Sequence, residues 1–367
     1  MTLDADAQNR IHLAIKADDI QAVEDILREY IKFSVYISNF QKPPKQLKKY
    51  PTLVDVAAFY GSIKCLEYFL SNKRLSEHVD YRRRNVAHYA VYSNNVAVFQ
   101  ILYKYGIDID IPSKNGKTPF HIAAKYGFLG ICKYLWVHNC NLYNKNYQKY
   151  TVFDFALFNE RFHVLDFLLE IGMEFEQSDG KSYYITAIKR NRFEMIEYLV
   201  KHSIPMVPTH DNNYPIHFAI QKRDLYLTTF LLDHGADPLC RNNKKQTPLH
   251  YAAKSGNNEI LRAVLSKVEV GHYAPRDNSR RTPLQYAIKR KIISSICLFI
   301  DFYMDYSQVD MNSLIKYVLR NANRIDPDFS IFLKNHLYSE YGFSDLDEGD
   351  VLEDIDERDV LRGSRSI

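Results

Sequence analysis

Two nearly identical stretches place a histidine three residues after a threonine. They read TPFHIAAKYG from Thr118 and TPLHYAAKSG from Thr247, so the histidines are His121 and His250. Histidine is a common general base and the commonest metal ligand among the side chains. A metal site needs ligands that converge on one point, whereas a structural histidine recurs with the unit that it supports. The spacing of these histidines along the chain decides between the two interpretations.

The threonine position recurs along most of the chain. Equivalent positions follow at intervals of 43, 33, 33, 33, 31, 32, 33 and 35 residues, and they are occupied by Asn9, Thr52, Asn85, Thr118, Thr151, Ser182, Tyr214, Thr247 and Thr282. Five residues after each of them stands an alanine: Ala14, Ala57, Ala90, Ala123, Ala156, Ala187, Ala219, Ala252 and Ala287. A histidine stands three residues after five of them: His12, His88, His121, His217 and His250. Histidines that occur once per repeat lie apart from one another, which indicates a structural role and not a metal site.

Each repeat predicts two antiparallel helices and a projecting turn. A threonine, serine or asparagine at the recurring position caps a helix with its side-chain oxygen, and a proline such as Pro119 suits the first helical position. A glycine nine residues after the recurring position, such as Gly127, ends this first helix. A second apolar helix follows, for example over residues 130–139. The alanine allows neighbouring first helices to approach closely.

These motifs resemble the ankyrin repeat family over about residues 9–300. TPFHIAAKYG, TPLHYAAKSG and LLDHGADP (231–238) match its signature, and residues 50–70 resemble units of large ankyrin families of protists. The resemblance implies an all-α solenoid of about nine to ten helix-turn-helix units with projecting β-turns, which works by binding proteins. The signature histidine is replaced in four repeats, by Asp55, Asp154, Ile185 and Gln285. The repeat that begins at Ser182 also lacks the Thr-Pro pair and is a degenerate match.

We predict five segments from the rhythm of the repeats. They are a capping ankyrin-like unit (1–40), a loop rich in proline and lysine (41–50), the repeat array (51–304), divergent capping helices (305–343) and an acidic tail (344–367). Residues 344–360 hold nine acidic residues and one arginine, which is a charge of −8. Because the whole chain has a net charge of +4, the rest of the chain carries +12. Such a block is usually disordered. The tail either docks on the basic array or stays free.

Several classes of protein are disfavoured by the sequence. The N-terminus lacks the layout of a signal peptide, and no apolar run is long enough to span a membrane. Five cysteines without a CxxC pair indicate reduced thiols, so we expect a cytoplasmic protein, with the nucleus as the other possibility. No GxGxxG, GxxxxGK[ST], HExxH or GxSxG motif occurs. We therefore predict no enzyme activity, no catalytic, cofactor-binding or metal-binding residue, no cofactor and no small-molecule substrate. The single tryptophan, Trp136, is predicted to lie in the core.

Basic and aromatic residues recur at fixed places around the turns and first helices. In a solenoid these places share the concave face, which predicts a groove with aromatic walls and a basic rim. The residues predicted to contact a partner are Arg83, Arg84, Tyr89, Lys117, Lys125, Phe155, Lys189, Phe218, Tyr251, Lys254, Arg281, Tyr286 and Arg290. Alternatively, the aromatic residues only pack between helices and the lysines only keep the array soluble.

The leading hypothesis is a monomeric, non-enzymatic scaffold or adaptor that binds a protein partner. Basic side chains attract acidic groups, so the partner is expected to present an acidic segment. One alternative is binding of nucleic acid or another polyanion through the basic turns, although the turns carry no recognised reading motif and the acidic tail would repel phosphate. Another is that the chain is the targeting subunit of an enzyme complex.

Overall fold

The computed structural model describes residues 5–29, 44, 47, 51–71, 79–174, 182–268, 274–306 and 311–342. Within these ranges the regular secondary structure is helical, without a β-strand. The predicted acidic tail lies outside the described residues, as does the predicted loop at 41–50 apart from residues 44 and 47. The chain forms two compact units, residues 1–176 and 177–367. We call them the N-terminal and the C-terminal unit.

The N-terminal unit contains five helix pairs in its described part. The helices are α1 (Ala5–Lys16), α2 (Ile20–Glu29), α3 (Leu53–Tyr60), α4 (Ile63–Ser71), α5 (Val86–Ala90), α6 (Val96–Lys104), α7 (Pro119–Tyr126), α8 (Leu129–Val137), α9 (Val152–Phe158) and α10 (Phe162–Glu170), and a 3-10 turn (Val91–Ser93) follows α5. Odd-numbered helices pack on the next odd-numbered helix and even-numbered helices on the next even-numbered one. This layering is the stacking that repeat proteins use to build a continuous core.

The C-terminal unit continues the same pairing and then changes. Its described helices are α11 (Tyr183–Arg190), α12 (Phe193–Lys201), α13 (Pro215–Gln221), α14 (Leu225–Asp233), α15 (Pro248–Ser255), α16 (Asn258–Leu265), α17 (Pro283–Lys289), α18 (Ile293–Tyr306), α19 (Met311–Ile325) and α20 (Pro327–Tyr341). The last two are longer than the helices of the repeats. Helix α19 packs on α17, α18 and α20, so it covers the end of the last repeat.

The recurring position begins the first helix in eight repeats. It is the extended N-cap residue at Thr52, Asn85, Thr118, Thr151, Ser182, Tyr214, Thr247 and Thr282. Pro119, for example, is the first residue of α7. Asn9 is different, because α1 already begins at Ala5, and the prediction of a helix start at Asn9 is wrong.

Small residues set the spacing of the first helices. The nine alanines five residues after the recurring position are all buried. Gly127 ends α7 with a φ of 82°, where side chains are strained, and a Cβ there would lie 2.8 Å from Cδ of Arg161. Trp136 departs from its prediction. Ile131, Cys132 and Leu135 are the buried positions of α8, and Trp136 lies at the edge of that face with 42% of its surface exposed.

The turns between repeats share one architecture. Six of them run from a first residue whose backbone N–H donates to the carbonyl of the fifth: 80–84, 113–117, 146–150, 209–213, 242–246 and 277–281. In five of these turns the side chain of the first residue accepts backbone N–H groups of the same turn, and the turn that begins at Thr209 is the exception. In the second of these turns, Gly116 has a φ of 74°, and a Cβ there would meet Cα of Asn146 in the next turn at 2.9 Å. Neighbouring turns therefore pack backbone to backbone.

Candidate partner-binding surface

The signature histidines join each first helix to the turn of the next repeat. In His121, Nδ1 accepts the backbone N–H (3.1 Å) and the hydroxyl (2.9 Å) of Thr118. Its Nε2–H donates to the carbonyl of Tyr150, at the end of the next turn, over 3.3 Å. Because a backbone N–H can only donate and a carbonyl can only accept, these partners fix the tautomer. Both ring nitrogens are used, so none is left for a metal or a substrate.

The same arrangement recurs at other histidines. The Nε2 atoms of His88, His217 and His250 lie 3.0, 3.3 and 3.0 Å from the carbonyl that precedes the next recurring position. Burial lowers the pKa of His88, His121 and His217 to about 4, so their rings are neutral at physiological pH. A neutral ring provides the one acceptor and one donor that the joint needs. The predicted structural role of these histidines is confirmed.

In the two repeats where an aspartate replaces the histidine, the hydrogen bond to the recurring position is kept and the one to the next turn is not. The carboxylates of Asp55 and Asp154 accept the backbone N–H of Thr52 and Thr151 over 2.9 and 2.8 Å. An ionised carboxylate has no proton to donate to the carbonyl of the next turn. Burial raises the pKa of Asp55 to about 7, so this side chain titrates near neutrality.

Four basic side chains of the N-terminal unit surround one cavity of about 150 Å³. They come from two successive turns and from the end of α7: Arg82, Arg84, Lys117 and Lys125. The aromatic rings that line the cavity are Tyr92, Tyr126 and Phe155. We call this cavity the basic pocket. The structure thus brings together four of the predicted partner residues, Arg84, Lys117, Lys125 and Phe155.

Only some of the basic side chains around the basic pocket are paired with a carboxylate. Arg84 forms an ion pair with the buried carboxylate of Asp80 at 2.7 Å. The Lys117 ammonium lies 5.0 Å from the ring centre of Phe155, and within the described part of the chain no carboxylate pairs with Lys117 or Lys125. Burial, together with the charge of Lys125, lowers the pKa of Lys117. A bound anion would relieve this repulsion.

The basic pocket opens where two repeats lack a bracing tyrosine. In three other repeats, the residue four after the recurring position is a tyrosine that hydrogen-bonds the first residue of its own turn. The pairs are Tyr89 with Asp80 (3.0 Å), Tyr251 with Asn242 (3.1 Å) and Tyr286 with Asp277 (2.6 Å). Ile122 and Phe155 occupy this place at the pocket and have no hydroxyl. A cavity lined by basic side chains therefore remains between the turn and the first helix.

Comparison with known families identifies the repeats. Family models described as ankyrin repeats match residues 216–310 and residues 87–135, and these ranges contain three of the six turns described above, 113–117, 242–246 and 277–281. This chain is an ankyrin-repeat protein. Ankyrin repeats indicate a role in protein–protein interaction. Within the described ranges, no helix combines the length and the apolar character that crossing a membrane requires.

Curated relatives share these ankyrin repeats at low identity. The chain is 25% identical to the potassium channel AKT2/3 of Arabidopsis thaliana over 162 residues, which are 43% of this chain and 20% of the channel. It is 25% identical to inversin of Canis lupus familiaris over 237 residues, 61% of this chain and 22% of inversin. The matches thus span about a fifth of the length of these relatives. The ankyrin repeat domain of Bcl-3 has the same fold, with a TM-score of 0.51 at 20% identity over 58% of this chain and 98% of that domain.

The ankyrin repeats of the C-terminal unit use the corresponding side chains differently. Lys189 lies over the ring of Phe218 at 4.9 Å, but the hydroxyl of Tyr251 is bonded to both Asn242 and Asn213, each at 3.1 Å. The hydroxyl of Tyr286 donates to Asp277 and accepts from Gln246. The other predicted partner residues of this unit are exposed at turns and helix ends: Lys254, Arg281 and Arg290. None of these side chains lines the basic pocket.

The prediction of Tyr89 as a surface residue is wrong. It is only 1% exposed, because its hydroxyl donates to Asp80 and the Arg84 guanidinium covers its ring at 4.5 Å. It supports the turn from within, as the packing alternative proposed. Arg83 is exposed on the same turn with a φ of 55°, outside the lining of the basic pocket.

Two aromatic residues of the basic pocket were not among the predicted contacts. Tyr92 and Tyr126 stand seven and eight residues after their recurring positions, where the predicted contacts are all basic residues. Their rings pack edge to face with centres 5.4 Å apart. The signal that could have found them is an aromatic residue at the end of the first helix in two successive repeats.

Proposed function

We propose that this chain is a non-enzymatic scaffold that binds an acidic segment of a protein partner at the basic pocket. The observation that carries the proposal is the set of Arg82, Lys117 and Lys125 around one cavity whose described lining contains no acidic residue. Carboxylates accept charge-assisted hydrogen bonds from such groups, and these bonds are stronger than neutral ones. The ankyrin-repeat fold supports protein binding as the general activity.

The shape of the basic pocket favours a peptide carboxylate over a nucleic acid backbone. A cavity of about 150 Å³ has room for one or two carboxylate side chains. Its aromatic walls would pack against the methylene groups of a glutamate side chain while the basic side chains contact the carboxylate. A groove for single-stranded nucleic acid would instead extend over several nucleotides, with basic side chains along the backbone and aromatic faces for base stacking, and the basic pocket is a single small cavity. The proposal therefore commits to a glutamate-rich or aspartate-rich protein segment.

Fluorescence anisotropy of a labelled polyglutamate peptide tests this function with the full chain. We expect saturable, micromolar binding that weakens as salt is raised, and no binding of a polyglutamine peptide of equal length. An oligothymidine with the same number of charges is the comparison for nucleic acid. Equal or tighter binding of oligothymidine would replace the proposed partner with a polyanion, and the lack of any peptide binding would refute the proposal.

A further inference from the structure

Two facing helices at the end of the C-terminal unit each present a pair of metal-ligating residues one turn apart. Helix α18 carries Cys297 and Asp301, and helix α20 carries His336 and Glu340. Residues four apart share one face of a helix, so each pair points to the same side. None of these four residues belongs to the signature of the repeats or to the basic pocket.

Three of the ligand atoms already lie at the spacing of a metal centre. The Cys297 thiol donates to Oε2 of Glu340 over 3.4 Å, and Nε2 of His336 lies 3.0 Å from the same oxygen. All three ligand atoms are within 4.8 Å of one another. Bonds of about 2.0–2.3 Å in a tetrahedral zinc site place neighbouring ligands about 3.3–3.8 Å apart. Small side-chain rotations would bring this cluster to that geometry.

The surroundings provide an entry path and support for the ligands. Cys297 and Asp301 line a cavity of about 650 Å³ together with His336 and Glu340. Cys297 is buried, whereas His336 and Glu340 are exposed, so the cluster opens to solvent on one side. The hydroxyl of Tyr341 donates to Asp301 over 2.5 Å and orients that carboxylate. Hydrogen bonds of this kind to a ligating carboxylate are typical of metal sites.

We propose that Cys297, His336 and Glu340 bind a zinc ion, with Asp301 as the fourth ligand. Thiolate, imidazole and carboxylate together are a ligand set that zinc prefers, and hard cations such as magnesium or calcium take oxygen ligands instead. Binding forms a zinc–sulfur bond, and the thiol proton leaves to solvent. The ion fastens α20, the last described helix, to α18 of the last repeat.

The hydrogen bonds of the cluster describe its state before a cation binds. Burial and the Glu340 carboxylate raise the pKa of Cys297 to about 12, so the thiol keeps its proton and donates it to Glu340. A divalent cation at this place would neutralise the negative groups that crowd the sulfur. The other four cysteines are also buried, but none of them joins a histidine and a carboxylate in such a group among the described residues.

Cobalt binding to the chelator-treated full chain tests the site. We expect one cobalt ion per chain, with the visible spectrum of a tetrahedral complex and a sulfur-to-cobalt charge-transfer band in the near ultraviolet. Zinc should displace the cobalt and abolish the spectrum. Cys297→Ser should abolish the charge-transfer band, while the matched Cys132→Ser, which changes a buried cysteine of α8, should retain it.

The exposed His336 offers a variant whose folding is not in question. His336→Gln should weaken zinc binding at least about tenfold in a competition titration and leave the circular dichroism spectrum of the metal-free chain unchanged. If the unaltered chain binds no cobalt, or if Cys297→Ser and His336→Gln both bind zinc as tightly as it does, the contact is an ordinary packing contact between two helices and the proposal is overturned.

Discussion

The turn surfaces of the two units are built from the same repeat, yet they differ in whether a space remains between the turn and the first helix. In the C-terminal unit, Tyr251 and Tyr286 use their hydroxyls to hold the turns against the first helices. In two repeats of the N-terminal unit, Ile122 and Phe155 take the equivalent place and the basic pocket opens between turn and helix, whereas Tyr89 of the same unit keeps the brace. The difference teaches that a binding site in a repeat protein can arise where the loss of an internal brace coincides with basic side chains from two successive turns.

A second contrast concerns the position of the signature histidine. His121 is buried and neutral and links two repeats, whereas Asp55 at the equivalent position holds only its own helix cap. Burial lowers the histidine pKa and raises the aspartic acid pKa. The two positions therefore respond to pH with opposite signs.

The largest expected effect is the response of stability to pH at Asp55. Its pKa is raised from 3.8 to about 7 by burial, so the stability that the protonated carboxyl contributes is complete below about pH 4 and is lost as pH rises to about 7. A rise of this size corresponds to about 4 kcal/mol. Asp55→Asn should therefore raise the free energy of unfolding at pH 8 by up to about 4 kcal/mol and change it little at pH 4.

Urea unfolding of the full chain at both pH values measures this effect. Asp25→Asn, on the exposed face of α2, is the control and should change the free energy of unfolding little at either pH. A gain of equal size at pH 4 and pH 8 would show that the Asp55 carboxyl does not titrate in this range. The buried histidines act in the other direction, because their depressed pKa makes them lose stability as pH falls from about 6.5 to about 4.

The next effect introduces the bracing tyrosine at the basic pocket. Ile122→Tyr gives this repeat the tyrosine that three other repeats carry at the same place, four residues after the recurring position and close to the turn that begins at Ser113. The larger ring fills the basic pocket, so polyglutamate binding should weaken about tenfold, the equivalent of about 1.4 kcal/mol. The matched Phe218→Tyr changes the same place in the C-terminal unit and should leave binding unchanged. Unaltered binding by Ile122→Tyr would place the peptide outside the pocket.

The architecture was accessible from the sequence because it repeats. The period, the eight helix starts and the nine buried alanines are confirmed, since each depends on contacts that every repeat makes in the same way. The predictions of Tyr89 as a surface residue and of Trp136 as a core residue were wrong, because the 3.6-residue period of a short helix does not separate the buried face from its edge. The group around Cys297 could not be foreseen, since it requires α18 and α20 to meet outside the rhythm of the repeats.

The smallest effect removes a brace away from the basic pocket. Tyr251→Phe deletes the hydroxyl that Asn242 and Asn213 share, which should cost about 1 kcal/mol of stability. Polyglutamate binding should not change, although Tyr251 was predicted from the sequence as a partner contact. Thermal unfolding and anisotropy together check both statements. Tyr226→Phe, at a side chain with 65% exposure, is the control for stability. Loss of peptide binding in Tyr251→Phe would extend the binding surface to the C-terminal unit.

The most direct test compares two charge reversals of equal size in the two units. Lys117→Glu with Lys125→Glu alters the basic pocket, and Lys189→Glu with Lys254→Glu alters the corresponding surface of the C-terminal unit. In anisotropy titrations with labelled polyglutamate, the first pair should weaken binding about 30-fold or more and the second by about threefold or less, because rim charges away from the site act only through long-range attraction. An equal loss in both variants would contradict the account, because binding would then follow net charge and not the basic pocket.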